Sequence, residues 1–113
     1  MKHELRLHAS PFNSIVAGNK TIECRLFDEK RQTISLGDEI TFLSREDGST
    51  VDVKVVGLLR YATFKDLFIY TDLDKSGSQG YTTETASEAM LQFYTLEDQL
   101  KYGVLGIEFR ITD

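Results

Sequence analysis

Four side chains able to take part in chemistry fall within six residues: Lys20, Thr21, Glu23 and Arg25, in the stretch Gly18-Asn19-Lys20-Thr21-Ile22-Glu23-Cys24-Arg25-Leu26. An arginine offers a planar fork of donors that suits a two-oxygen acceptor, a lysine a compact point charge, and a carboxylate accepts from both or from the edge of a base. In an extended segment Thr21, Glu23 and Arg25 share one face, and Ile22, Cys24 and Leu26 the other. Such a set can bind an anion or a base, with Lys20 and Arg25 on acceptor oxygens and Glu23 on donors. It can also do hydrolytic work, with Lys20 as base or electrostatic stabiliser, Glu23 as general acid or base and Arg25 holding an oxyanion. Read from residue types alone, the same residues make an ordinary ion pair on a solvated strand face.

Other polar residues are candidates around this stretch. Arg31, next to Lys30, would extend a phosphate-binding edge, although Asp28 and Glu29 stand beside it. Tyr81, in a glycine-rich segment, is the tyrosine placed to stack on a base. Thr21 could lend a hydroxyl. Cys24 faces the apolar side and has no histidine placed to activate it, so it reads as a buried thiol. His3 and His8 are five apart with no cysteine or further histidine close by, which is not metal-ligand spacing. No phosphate-loop, dinucleotide or Ser-His-Asp signature is present, so neither a metal nor a cofactor is expected.

The elements that must position these residues follow from patterning. His3–His8 alternates as a first strand. Ser10 and Pro11 read as the cap and first position of a short helix whose stripe is Phe12, Ile15 and Val16, and Gly18 ends it. After the central strand comes a polar loop, residues 28–32. Then Ser35–Asp38 is a turn and Glu39–Leu43 a strand, followed by an Asp47-Gly48 hairpin and a return strand from Val51 to Tyr61 with a bulge expected at Gly57. Phe64–Tyr70 is a helix capped by Thr63. Residues 73–80 are a loop expected to cover or border the site. Residues 83–94 form a helix with Ala86, Met90 and Phe93 on its apolar side. Thr95 caps another helix that ends at Gly103, and Leu105, Ile107, Phe109 and Ile111 line a closing strand.

One domain spanning residues 1–113 is expected, of mixed α+β class: a small β-barrel of about five to six strands with helical insertions. With 41% hydrophobic and 27% charged residues the composition is that of a folded chain. No apolar run is long enough to span a bilayer, and the single cysteine fits a reducing compartment, so a cytoplasmic protein without a membrane partner is expected. The net charge is −5, which argues against gripping duplex DNA by its phosphates. The charge is uneven: residues 1–31 carry six Lys and Arg against four Asp and Glu, residues 72–113 three against eight. An anionic ligand should meet the N-terminal third.

The motif G-x-K-x-x-E-x-R at Gly18–Arg25, followed by Gly37-Asp38-Glu39-Ile40-Thr41-Phe42 and by Tyr102-Gly103-Val104-Leu105-Gly106-Ile107-Glu108-Phe109, resembles an ASCH domain, a branch of the PUA-like superfamily, in its small single-domain bacterial form. The resemblance covers nearly the whole chain. It implies a PUA-like barrel with a cleft beside the motif, taking single-stranded RNA or a nucleotide-like small molecule. Some small members act as amidohydrolases on modified nucleosides, and others have been proposed as ribonucleases. In the amidohydrolase branch a threonine proposed as nucleophile, working with the lysine and a later glutamate, stands where this chain has Glu23. The threonine mechanism therefore does not carry over.

Overall fold

The computed structural model describes residues 1–112. The chain opens with strand β1 (Lys2–Leu7) and helix α1 (Ala9–Val16), then strand β2 (Ile22–Leu26). The β1 alternation buries Leu5 and Leu7. The helix begins earlier than its Ser-Pro pair suggests: His8, extended at φ −65 and ψ 161, occupies the cap position and makes no side-chain cap bond. Ser10 and Pro11 thus sit inside the first turn. Proline is tolerated there because first-turn N–H groups have no partner within the helix. Phe12 and Ile15 are buried, and Gly18 turns the chain with φ +84.

A single 3-10 turn, Arg31–Thr33, interrupts the polar loop before β3 (Glu39–Ser44) and β4 (Thr50–Tyr61). These two strands form the expected hairpin, with Gly48 at φ +75. Helices α2 (Phe64–Tyr70), α3 (Thr83–Met90) and α4 (Leu96–Tyr102) follow, and β5 (Val104–Ile111) completes the sheet. Thr63 and Thr95 cap α2 and α4 by accepting from the N–H groups of Asp66 at 3.2 Å and Asp98 at 3.1 Å, contacts worth about 1 kcal/mol each. α3 is shorter than the sequence suggests, ending at Met90, and Thr82 with Thr85 forms its capping box.

The strands order as β1-β3-β4-β5-β2, antiparallel except for the parallel pair β1–β3. The sheet curls into a half-barrel and buries both of its faces. On the inner face Leu5, Phe42, Val53, Leu105 and Ile107 pack beneath Phe12 and Ile15 of α1. On the outer face Ile22, Cys24, Leu26 and Val104 pack against Phe64, Leu67 and Phe68 of α2 and Ala86 of α3. The bulge falls where glycine predicted it, between Val55 and Gly57 in the β4–β5 register. β1 and β2 are the two edges, and the half-barrel stays open between them.

Candidate functional site

Register decides what the motif can do. Glu23 pairs with Ile107 and Arg25 with Leu105, while Cys24 pairs with Gly106. Directly paired residues share a face, so Glu23 and Arg25 project from the inner, core-bearing face and not from a solvated one. Of the alternative that residue types alone allowed, the Glu23–Arg25 ion pair is present but the solvated face is not: α2 and α3 take the apolar side of β2, which leaves its charged side for the interior.

The charged side chains there form one continuous chain of contacts. Lys20 donates through Nζ to the Ser76 carbonyl at 3.0 Å and meets Glu23 Oε1 at 3.1 Å. Arg25 donates through Nε to Glu23 Oε2 at 2.8 Å, and its Nη2 reaches the Arg6 carbonyl on β1 at 3.0 Å. A side chain of one edge strand thus spans to the backbone of the other across the open seam. Burial alone would raise the Glu23 carboxyl, but Lys20 and Arg25 outweigh it and hold the group below its ordinary value. Two cations around one carboxylate leave this site with a net positive charge.

A cleft of about 230 Å³ opens at the seam above this set. Arg6 and His8 line it from the β1 side, Lys20 from the turn before β2, Glu23 and Arg25 from β2, and Ser76 and Ser78 from the loop. Phe68, Phe93 and Tyr94 supply an aromatic wall. Phe93 was expected on the apolar side of its helix. It lies beyond the end of α3 and is 65% exposed. The volume is below the roughly 300–1,000 Å³ of pockets that enclose drug-sized ligands, which leaves room for one small group and not for a larger molecule.

Of the residues expected at the ligand, Lys20, Glu23 and Arg25 are brought together. Thr21 is not among the cleft-lining residues; its backbone is spent on pairing, with its N–H on the Lys75 carbonyl at 2.8 Å and its own carbonyl accepting from Phe109 at 3.0 Å. Tyr81 is also outside the cleft lining, 51% exposed, because the chain turns at Ser78 to lead into α3. Arg31 borders a neighbouring groove and pairs with Asp28 at 3.1 Å. The loop does border the site. Its contribution is a backbone carbonyl, Ser76, a role that side-chain identity does not reveal. Glycine at position 77, with φ +83, allows the loop to lie close to Lys20, whose Cδ would stand 3.3 Å from an added Cβ.

Burial pushes the Cys24 thiol up to about 12, which takes it out of nucleophilic chemistry at neutral pH. Among the described residues no three His, Cys, Asp or Glu side chains gather into a metal-holding group, and no helix is long and apolar enough to cross a membrane.

The model of the ASCH domain family matches residues 5–112. The chain belongs to the ASCH domain family. Among solved structures, this ASCH domain is similar to the hypothetical protein PH0355, with TM-score 0.89 and 37% identity over 99% of this chain and 100% of that one. It is also similar to PF0455 from Pyrococcus furiosus, with TM-score 0.79 and 31% identity over 100% and 99% of the two chains. The ASCH domain from Lactobacillus crispatus shares the fold at TM-score 0.65 and 14% identity, covering 97% of this chain and 79% of that chain. No curated protein matches the sequence.

Proposed function

We propose that this ASCH domain binds single-stranded RNA, or a nucleotide-like fragment of it, in the seam cleft. The observation that carries the reading is the Lys20–Glu23–Arg25 chain: a net positive, nearly water-free set of donors at the foot of a cleft walled by aromatic rings. Cations there meet the carbonyl or phosphate oxygens of a nucleotide, and Phe93, exposed on the wall, stacks on its base. The acidic total of the chain agrees with a short single-stranded ligand, since it lacks the basic surface that a duplex requires. Association of the ASCH family with RNA binding supports the same class of partner.

Hydrolysis of an amide or a phosphodiester with Glu23 as general acid or base would need that carboxylate to exchange a proton. Both of its oxygens are engaged, and the flanking cations keep it ionised, which removes the acid and weakens the base. A binding role therefore fits the geometry better than turnover. The test is a thermal-shift and titration series with nucleosides, nucleotides and short single-stranded RNAs, with recovery and product analysis of each ligand. Phe93→Ala, which removes only an exposed ring, should weaken a base-bearing ligand by roughly 5- to 160-fold, the range of one lost stacking contact, and Lys20→Ala should weaken any anionic one. The ligand should be recovered unchanged. Conversion by the wild type that is lost with Lys20→Ala would instead establish the hydrolase.

A further inference from the structure

A second cavity, of about 380 Å³, adjoins the seam. It is lined by Arg6 of β1, Arg25 of β2, Lys30 and Arg31 of the loop after β2, Arg45 of the β3–β4 hairpin, and a lone carboxylate, Glu4. Five of the thirteen Lys and Arg in a chain of net charge −5 thus meet in one groove. Three of them, Arg6, Arg25 and Arg45, also line the seam cleft. The two cavities are contiguous through shared arginines.

We infer that this groove is a phosphodiester subsite, so that the ligand is a single strand of at least two nucleotides, with one base in the cleft and the adjoining phosphate in the groove. The inference rests on the binding function proposed above and extends it from the one base held in the cleft to the strand that carries it. Arg25 is suited to the junction: Glu23 holds its Nε and the Arg6 carbonyl holds Nη2, which fixes the plane of the guanidinium and leaves further N–H groups to face a ligand. Arg31 lines the groove with its guanidinium anchored by Asp28 on Nη1, while Nη2 makes no hydrogen bond among the described residues; its Nε is buried and also without a partner. Phosphate oxygens are the acceptors that arginine forks fit in pairs. The arginines arrive from three separate segments, so the groove exists only in the folded sheet.

The experiment compares adenosine with single-stranded oligoadenylates of two, four and eight nucleotides, titrated against the wild type, Lys30→Gln and Arg31→Gln over a series of salt concentrations. The Lys30 side chain makes no hydrogen bond or ion pair among the described residues, its backbone carbonyl alone accepting from Thr33, so Lys30→Gln guards against a folding defect in Arg31→Gln. The wild type should bind the oligomers several-fold more tightly than adenosine, which has the base and no phosphate. Each variant should lose affinity for oligomers about three- to tenfold, keep its affinity for adenosine, and show a salt slope shallower by about 0.7. Equal wild-type affinity for adenosine and oligomers, or variants that leave oligomer binding untouched, would overturn the subsite and leave the cleft reading standing. Failure of the wild type to bind either ligand would overturn both.

Discussion

Glu23→Gln removes one charge and almost no volume from the centre of the Lys20–Glu23–Arg25 chain. The Lys20 and Glu23 side chains are each 8% exposed and that of Arg25 is 14% exposed, so water has little access to take over the lost contacts. A glutamine can accept from one cation, but its amide would then present donors to the other. Taking one partner from a buried ion pair costs on the order of 3–5 kcal/mol, against about 0–1 for an exposed pair. For a chain of this size 1 kcal/mol corresponds to roughly 4 °C, so the melting midpoint should fall by roughly 12–20 °C. Urea and thermal denaturation at neutral pH give this number directly, and repeating them in phosphate should restore more stability to the variant, whose site has lost its own anion. The pH dependence gives a second check. Against burial, Lys20 and Arg25 hold the Glu23 carboxyl below its ordinary value of about 4.5 in the folded state, so its contribution is present above about 4.5 and is lost as pH falls through the folded value. The variant lacks that contribution throughout, so the two stability curves should converge in acid. A loss below about 1 kcal/mol, or curves that stay parallel down to acid, would refute the claim that this is a desolvated, coupled set.

Asp38 is held at about 2 by a hydrogen bond from His3, the Ser35 N–H and the N-terminal amine; its contribution should be complete above about 4 and vanish as pH falls towards 2, and Asp38→Asn should flatten acid unfolding over that window. Cys24, with its thiol near 12, should react with a disulfide reagent at pH 8 only as fast as the protein unfolds; labelling at the rate of a free thiol would contradict its burial. Gly106 lies where a Cβ would stand 3.1 Å from Leu67 Cδ1 and 3.4 Å from Ile22 Cγ2, so Gly106→Ala should cost about 1–3 kcal/mol by overpacking, read as a lower urea midpoint at unchanged slope.

Much of the scaffold could be read from the chain because its signals are local. Thr63 and Thr95 cap where a threonine precedes an apolar-periodic segment, Gly48 turns a hairpin, and the glycine at 57 marks the bulge. Ser10 misled because His8 is already extended, so the helix starts before the serine and its side chain has no cap to make. The motif was legible as a strand with two faces, but alternation does not say which face meets the core. That depended on α2 and α3 settling on Ile22, Cys24 and Leu26, a non-local outcome that turned Glu23 and Arg25 inward. The same holds for Phe93 and Tyr81. Helical spacing placed Phe93 in the core, but α3 stops at Met90 and frees it, while the glycine-rich context of Tyr81 said nothing of the turn that carries it away. The Ser76 carbonyl left no trace in side-chain identity at all.

The pairing of β2 has a consequence for how the molecule comes into being. β2 is joined in the sheet to β5 alone, and Ile22 meets Glu108, which lies 86 positions later. Contacts so distant in sequence form late, because the intervening chain must first be closed into a loop. A partly synthesised or partly folded chain therefore has Lys20, Glu23 and Arg25 but nothing to aim them, and the cleft proposed to bind takes shape only when the last strand is in place.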